Sequence, residues 1–259
     1  MSLPVRVREL PGAEHASWDR FVAAAPSGSP YSTAEYLDVL CGATGGRFRI
    51  VAASRGDDIV AGVALYEVAG RFGAVVMPRL LLYYNGLVLA AHETRYPSVR
   101  ASREVEGLAA LEEWLRGAGY ARLVLKSRSP VGDVRAFVER GWSAQPGYTY
   151  VVPLDDLGAQ WSRVEQNLRR LVGRGEREGL TFAEDDDFDA FFRLHGGTHE
   201  RKRAPVYLPR AAFEAYFRRL RRGQRHTTSF ASSRSVPDGP ARRWGLRRYN
   251  GSRRTPLKR

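Results

Sequence analysis

The sequence is poor in cysteine and has no long uninterrupted apolar run, and each absence excludes a class of protein. Cys41 is the one cysteine among 259 residues. No disulfide can therefore form within the chain, and a reducing compartment, the cytoplasm, is predicted. The first ten residues lack the apolar segment of a signal peptide. The most apolar region, Ile59 to Ala91, is interrupted by charged residues and proline, so it predicts strands and not a membrane span.

Several catalytic patterns are missing as well. The chain has no Ser-His-Asp order, no metal-ligand spacing and no Walker-type phosphate loop. The acidic run Asp185 to Asp187 is more typical of a helix start than of a metal site. The sequence therefore predicts no metal cofactor.

The net charge of +13 is concentrated at one end of the chain. From Arg218 to Arg259 there are 14 basic residues and 1 acidic residue, which leaves 27 of each sign in Met1 to Phe217. The body is thus neutral, and a basic tail is weaker evidence for nucleic-acid binding than a basic body. Residues 224–259 also have few apolar side chains, so a disordered basic tail is predicted.

Strands and helices alternate along the rest of the chain. Hydrophobic patterns predict a strand at Pro4 to Leu10, two short helices up to Leu40, and strands at Arg47 to Ser54 and Ile59 to Glu67. A strand region from Met77 to Ala90 breaks at Asn85-Gly86, and an amphipathic helix covers Ser98 to Gly117. This order predicts a mixed α/β (α+β) fold whose first domain, residues 1–153, ends near Pro153.

One stretch, Leu157 to Phe182, has the clearest helical period. Six apolar residues lie on one face of the predicted helix and four arginines on the other. Asp155 or Asp156 can cap the start, and Gly179 suits the left-handed residue that ends a helix. Because Trp161 lies at the centre of the apolar face, we expect it to be buried. Two further helices follow, around Phe188 and from Pro209 to Arg222.

Four segments resemble the FemAB-like branch of the GNAT acyltransferases, including its BioF2-like (CelD-like) group. They are RIVAASRGDDIVAGVALYEV, PRLLLYYNGLVL, LVLKSRSPVGDVRAFVERGW followed by TYVVPLDDL, and LGAQWSRVEQNLRRLVGRGEREGLTF followed by Phe191, Leu194, Thr198 and Arg201. The resemblance covers Pro4 to Gly223. It implies a first GNAT-like domain (1–153), the beginning of a second, mainly helical one (154–223), and a tail (224–259) that resembles nothing in the family, which we interpret as a truncated or frameshifted C-terminus.

The resemblance implies transfer of an acyl or aminoacyl group to an amine of a small molecule or cell-envelope precursor. The donor would be acyl-CoA (acetyl-CoA) or aminoacyl-tRNA, so tRNA is a possible partner. GNAT enzymes hold the donor's pyrophosphate on an Arg/Gln-x-x-Gly-x-Gly/Ala turn at a helix start. In this chain the same spacing occurs inside a predicted helix, from Arg170 to Gly175, and at the end of another, from Arg116 to Ala121, but not at a predicted helix start. Oligomeric state is not predicted.

Candidate site residues come from two segments and each has a structural alternative. Tyr83 and Asn85 are the catalytic candidates, which would orient an amine or protonate a leaving thiolate, with Tyr84 beside them as a substrate-binding residue; alternatively they are a packed strand end. Arg169, Arg170 and Arg201 are candidates for binding a phosphate or carboxylate. Alternatively they lie on solvated helix surfaces. His195 is predicted to be a core histidine.

Three functional classes stay open. The first is an acyltransferase. The second is a binding module that keeps the substrate groove without catalysis, or an inactive relative. The third is a protein that binds RNA or another anionic surface through its basic tail.

Overall fold

One mixed sheet with helices on both faces forms the centre of the computed structural model. The structure describes residues 3–92, 94–180, 187–227 and 242–249; for 222–227 and 242–249 it describes the backbone alone. The strand order is β1-β2-β3-β4-β6-β8-β7, and β5 also pairs with β3. The strands are β1 (Val5–Glu9), β2 (Arg47–Arg55), β3 (Asp58–Gly70), β4 (Gly73–Val76), β5 (Leu87–Leu89), β6 (Arg122–Lys126), β7 (Ser143–Tyr148) and β8 (Arg242–Tyr249). The mixed α/β class predicted from the sequence is confirmed.

Eight α-helices occur in the described part of the chain. They are α1 (His15–Ala24), α2 (Ala34–Thr44), α3 (Pro97–Gly117), α4 (Arg135–Val138), α5 (Leu157–Arg163), α6 (Gln166–Arg177), α7 (Phe188–Arg201) and α8 (Arg210–Thr227). Thr33 caps α2 by accepting a hydrogen bond from the Tyr36 N–H at 3.2 Å, and Gly45 ends the helix at φ +69°.

Alternate residues of the central strands face two separate cores. On β2, Val51 and Ala53 pack with α3 and α4, whereas Ile50 and Ala52 pack with α1, α2 and α8. Successive strand side chains point to opposite faces, so a strand covered on both faces is apolar at nearly every position. Tyr216 is the residue that brings α8 into the second core, where it is 6% exposed.

The single helix predicted within the stretch Leu157 to Phe182 is two helices in the structure. α5 ends at Arg163, α6 begins at Gln166, and Asp156 caps α5 by accepting from the Ala159 N–H at 2.9 Å. Gly179 has φ +76°, as predicted for the end of this segment. The prediction that Trp161 is buried is wrong, because its side chain is 48% exposed and no residue of α5 or α6 is buried. The sequence also predicts a strand at Leu180 to Phe182, of which residues 181–182 lie outside the described residues.

β8 is a strand that the sequence did not predict. Its backbone pairs antiparallel with β6 (Leu125 opposite Leu246) and with β7 (Ala144 opposite Leu246), so it separates these two strands. The strand lies within residues 224–259, for which composition predicts a disordered tail. Two strand edges offer hydrogen bonds to any extended segment between them, which composition does not reveal. The tail residues 228–241 and 250–259 lie outside the described residues.

Candidate functional site

Ten residues, 77–86, leave the sheet between β4 and β5 and then return to it. Both strands pair with β3, with Val76 opposite Glu67 and Leu87 opposite Val63. Within this segment the backbone folds into a tight turn in which the Arg79 and Leu82 N–H groups each donate to the other residue's carbonyl, at 3.2 and 3.0 Å. Leu81 has φ +66°, an uncommon conformation for a bulky side chain, and such strain is concentrated at functional sites. We call residues 77–86 the insertion loop.

Asn85 attaches the insertion loop to β6. Its side-chain amide donates to the Val124 carbonyl at 2.8 Å and accepts from the Lys126 N–H at 2.9 Å, while its backbone N–H donates to the Lys126 carbonyl at 3.3 Å. The residue is 1% exposed. The amide therefore replaces the sheet hydrogen bonds that β6 would make with a regular strand at this point. Both ends of the amide group are engaged in this structural task.

Gly86 permits the close approach of the insertion loop to β6. A Cβ atom on Gly86 would lie 2.3 Å from Ser127 Oγ and 2.4 Å from Ser127 Cα. Real Cβ atoms do not come so near to backbone, so the position requires glycine. The Asn-Gly break seen in the sequence is thus the point at which the chain rejoins the sheet.

Tyr83 and Tyr84 stand at the mouth of this junction with Lys126. Tyr83 is 48% exposed, and the Lys126 Nζ lies 3.5 Å from the centroid of its ring and 5.8 Å from that of Tyr84. The two tyrosine rings meet edge to face at 4.9 Å between centroids. An ammonium over an aromatic face is held by the ring quadrupole. These three side chains form the centre of the candidate site.

A loop between α1 and α2 lies beside the site. The Tyr31 ring lies 6.2 Å from that of Tyr84, and the Arg128 guanidinium donates to the Gly28 carbonyl. Ser27 Oγ accepts from the Leu89 N–H at 2.7 Å, and Ser127 Oγ accepts from the Leu87 N–H at 3.1 Å. The outward N–H groups of β5 are therefore already paired with serine hydroxyls.

Helix α8 supports the insertion loop from behind. The Tyr36 hydroxyl donates to the Leu81 carbonyl, and the Tyr36 and Tyr216 hydroxyl oxygens are 2.7 Å apart. Burial raises the pKa of Tyr36 far above its ordinary value, and burial also raises the pKa of Tyr216. Both phenols therefore stay protonated at neutral pH and act as hydrogen-bond donors, not as general bases.

The structure does not bring the three candidate arginines to this site. Arg169 and Arg170 lie on α6, and Arg201 donates to Thr198 Oγ1 at 3.2 Å on α7. The Arg169 Nε has no hydrogen-bond partner among the described residues. In the same part of the chain no hydrogen bond joins these arginines to Tyr83, Tyr84 or Asn85, so their part in the site stays a prediction.

Sequence reasoning missed Lys126 and Arg128. The available signal was their position: Lys126 directly follows the buried run Leu123 to Leu125, and Arg128 comes two residues later. Both lie at the carboxyl end of a strand, where ligand sites of α/β sheets are common. His195, which was predicted to belong to a core, is partly buried and stacks on Phe191 at 5.6 Å. Among the described residues no group of three metal-ligating side chains occurs, and no helix is both long and apolar enough to cross a bilayer.

Comparison with known proteins finds the fold of this chain among solved structures. A scan against family models gives no match, and a search of curated proteins gives none either. Among solved structures the mixed α/β fold does recur. A structure of FemX matches with TM-score 0.55 and 14% identity over 84% of this chain.

The FemX likeness is one of fold, and it is partial. The chain spans 55% of the FemX chain, about half of its length. A GNAT-family acetyltransferase from Desulfovibrio desulfuricans (21% identity, 54% of this chain, 86% of that one) has a TM-score of 0.33. One from Brucella melitensis in complex with acetyl-CoA (19% identity, 54% and 82%) has 0.31.

Proposed function

We propose that this chain is an acyltransferase of the FemAB-like type, which transfers an acyl or aminoacyl group to an amine. The observation that carries the proposal is the convergence of Tyr83, Tyr84 and Lys126 at a strand break, in a chain with the FemX fold. The acceptor would be a small molecule or an envelope precursor. The donor would be acyl-CoA, with aminoacyl-tRNA as the alternative.

Tyr83 and Asn85 have different parts in this proposal. The half-exposed Tyr83 is placed to meet a substrate, and its phenol can orient an amine or supply a proton to a leaving group. The catalytic role of Asn85 remains a prediction. Its contacts favour a positioning role instead, because the buried amide holds the insertion loop on β6. Arg169, Arg170 and Arg201 stay candidates for binding substrate from α6 and α7.

Acyl transfer to a panel of amines tests the proposal. Release of free CoA from acetyl-CoA, and transfer from aminoacyl-tRNA, would be followed for the wild type, Tyr83→Phe, Tyr84→Phe and a control, Tyr150→Phe, which alters a side chain that is 99% exposed. We expect the wild type to turn over one of the two donors. Tyr83→Phe should lower the rate of transfer about tenfold or more if the Tyr83 hydroxyl transfers a proton. The control should keep the wild-type rate. Folded protein that transfers from neither donor would refute the proposal.

One observation favours a second candidate, a non-catalytic binding module. The Ser27 and Ser127 hydroxyls already satisfy the outward N–H groups of Leu89 and Leu87, so this strand edge offers few free donors to an extended ligand. Calorimetry with acetyl-CoA separates the two functions. A module would bind an acceptor without binding the donor, whereas an enzyme would bind both.

The third possibility, RNA binding through the basic tail, concerns residues that lie mostly outside those described. Its test is the salt dependence of RNA affinity, which should be steep and should vanish when residues 228–259 are removed.

A further inference from the structure

Lys126 and Arg128 are two partly buried cations without an acidic partner in the part of the chain that the structure describes. No carboxylate of the described residues lies within ion-pair distance of either side chain. Two other partly buried arginines of the sheet are paired: Arg49 with Glu9 at 2.6 Å and Arg55 with Glu106 at 2.5 Å. A charge that is partly removed from water is favourable only when something compensates it.

The contacts that Lys126 and Arg128 do make leave donor capacity unused. Lys126 has the faces of Tyr83 and Tyr84 on one side, and a ring face accepts an ammonium more weakly than an oxyanion does. Arg128 gives one hydrogen bond to the Gly28 carbonyl, whereas a guanidinium carries five N–H donors. The remaining donors of both residues are available to a ligand.

The two cations lie at the same end of β6, two residues apart, where the insertion loop and the Ser27–Thr33 loop meet. Asn85, Gly86 and Ser127 hold this junction through buried contacts, so its backbone is pre-organised. Pre-organised donors lose little entropy when a ligand binds. The tyrosines supply an apolar wall beside the charges.

We propose that Lys126 and Arg128 form a subsite for an oxyanion, a phosphate or a carboxylate, carried by the ligand that occupies the tyrosine site. The description of this ligand as the amine acceptor rests on the proposed function; the oxyanion subsite does not. The acceptor is then an amine that also carries a negative group. On binding, the Lys126 ammonium leaves the face of Tyr83 and pairs with the anion.

The composition of the chain makes Lys126 unusually easy to observe. The sequence contains three lysines, Lys126, Lys202 and Lys258. Reductive ¹³C-dimethylation preserves their positive charge and gives each a separate methyl signal in NMR spectra. Because its Nζ lies 3.5 Å from a ring centroid, Lys126 should give an upfield-shifted signal, which Lys126→Arg assigns by its disappearance.

Titration with sodium pyrophosphate and, separately, with sodium glutamate at constant ionic strength then tests the subsite. We expect the Lys126 signal to move saturably toward the Lys202 position with at least one probe, while Lys202 stays unchanged. The probe that saturates distinguishes a phosphate from a carboxylate subsite. Equal, non-saturating movement of the lysine signals would overturn the proposal.

Calorimetry on the unmodified protein provides the second measurement. Lys126→Met and Arg128→Met should each weaken binding of the saturating probe about tenfold or more. Lys126→Arg, which keeps the positive charge but changes its geometry, should weaken it less than Lys126→Met. The control Arg193→Met, on an exposed part of α7, should leave the affinity unchanged. Unchanged affinity in Lys126→Met would refute the subsite. Neither measurement uses an acyl donor. Saturable binding of the probe without acyl transfer would therefore reject only the proposed function. Acyl transfer without saturable binding of either probe would reject only the oxyanion subsite.

Discussion

At the scale of single residues, the structure gives Asn85 a mechanical task that its sequence context did not disclose. The side chain replaces two backbone hydrogen bonds of β6 inside the sheet. Buried polar groups that lose a partner cost more than the bond itself contributed, because water cannot replace it. Substitution of Asn85 should therefore lower stability and activity together.

Asn85→Ala is expected to lower the free energy of unfolding by about 2–4 kcal/mol, since it leaves the Val124 carbonyl and the Lys126 N–H buried and unpaired. Denaturant unfolding measures the change, and Asn167→Ala on the exposed surface of α6 is the matched control, with a change of about 0.5 kcal/mol or less. If Asn85→Ala abolishes acyl transfer at wild-type stability, the catalytic role predicted from the sequence is correct instead.

Cys41 provides a second prediction at this scale. Burial, with a smaller contribution from the Asp38 carboxylate, raises the pKa of its thiol to about 11. The reactive species is the thiolate, so alkylation near pH 8 should be about 100-fold slower in the folded protein than in the unfolded chain. The folded rate should also keep rising about tenfold per pH unit up to about pH 10. A rate that levels off near pH 9 would show an ordinary thiol.

At the scale of elements, α5 and α6 show that an apolar face need not be a covered one. Leu168 and Leu171 follow the helical period, yet they are 50% and 54% exposed. Periodicity reports which side chains share a face, and it does not report what packs against that face. Burial of Trp161 was inferred from the pattern alone, and no neighbour among the described residues removes it from water.

Trp161→Ala should consequently cost less than about 0.5 kcal/mol of stability, the usual range for an exposed position. The matched variant is Trp18→Ala, whose fully buried indole donates to the Ser32 carbonyl at 2.8 Å and which should cost about 3–5 kcal/mol. Both changes in stability are measured from the denaturant midpoints of unfolding, with the m-value held constant. A large effect at Trp161 would mean that something covers α5 in solution.

At the scale of the whole molecule, β8 joins the far end of the chain to the first part of it. β7 pairs with β8 and with no other strand in the part of the chain that the structure describes. Residues 1–153 thus contain a strand whose partner comes from beyond residue 240. The division into domains at residue 153 remains a proposal, and β8 gives it a direct test.

Truncation after Thr227 should remove the protection of β7 and leave that of β2 and β3. Hydrogen exchange of the β7 amides should accelerate to near the rate of an unstructured peptide, since their hydrogen bonds go to β8. The β2–β3 pair, which is central in the sheet, serves as the internal control. Unchanged exchange in β7 would mean that the strand is held without β8.

Local patterns were sufficient for much of this protein because local interactions produce them. The double-sided burial of β2 and β3, the amphipathic α3, the cap before α5 and the Asn-Gly break all follow from neighbouring residues and their periods. Two of the candidate residues, Tyr83 and Tyr84, were found in the same way, from their place beside that break.

Tertiary structure alone decided the rest. The pairing of β8 between β6 and β7, the position of the Lys126 ammonium over Tyr83 and the exposure of α5 and α6 join or separate residues that lie far apart in the chain. A residue's neighbours across the sheet set its burial, its charge compensation and its free donors. Those quantities determine whether a tyrosine or a lysine serves as packing or as a binding group, and no period of a single sequence records them.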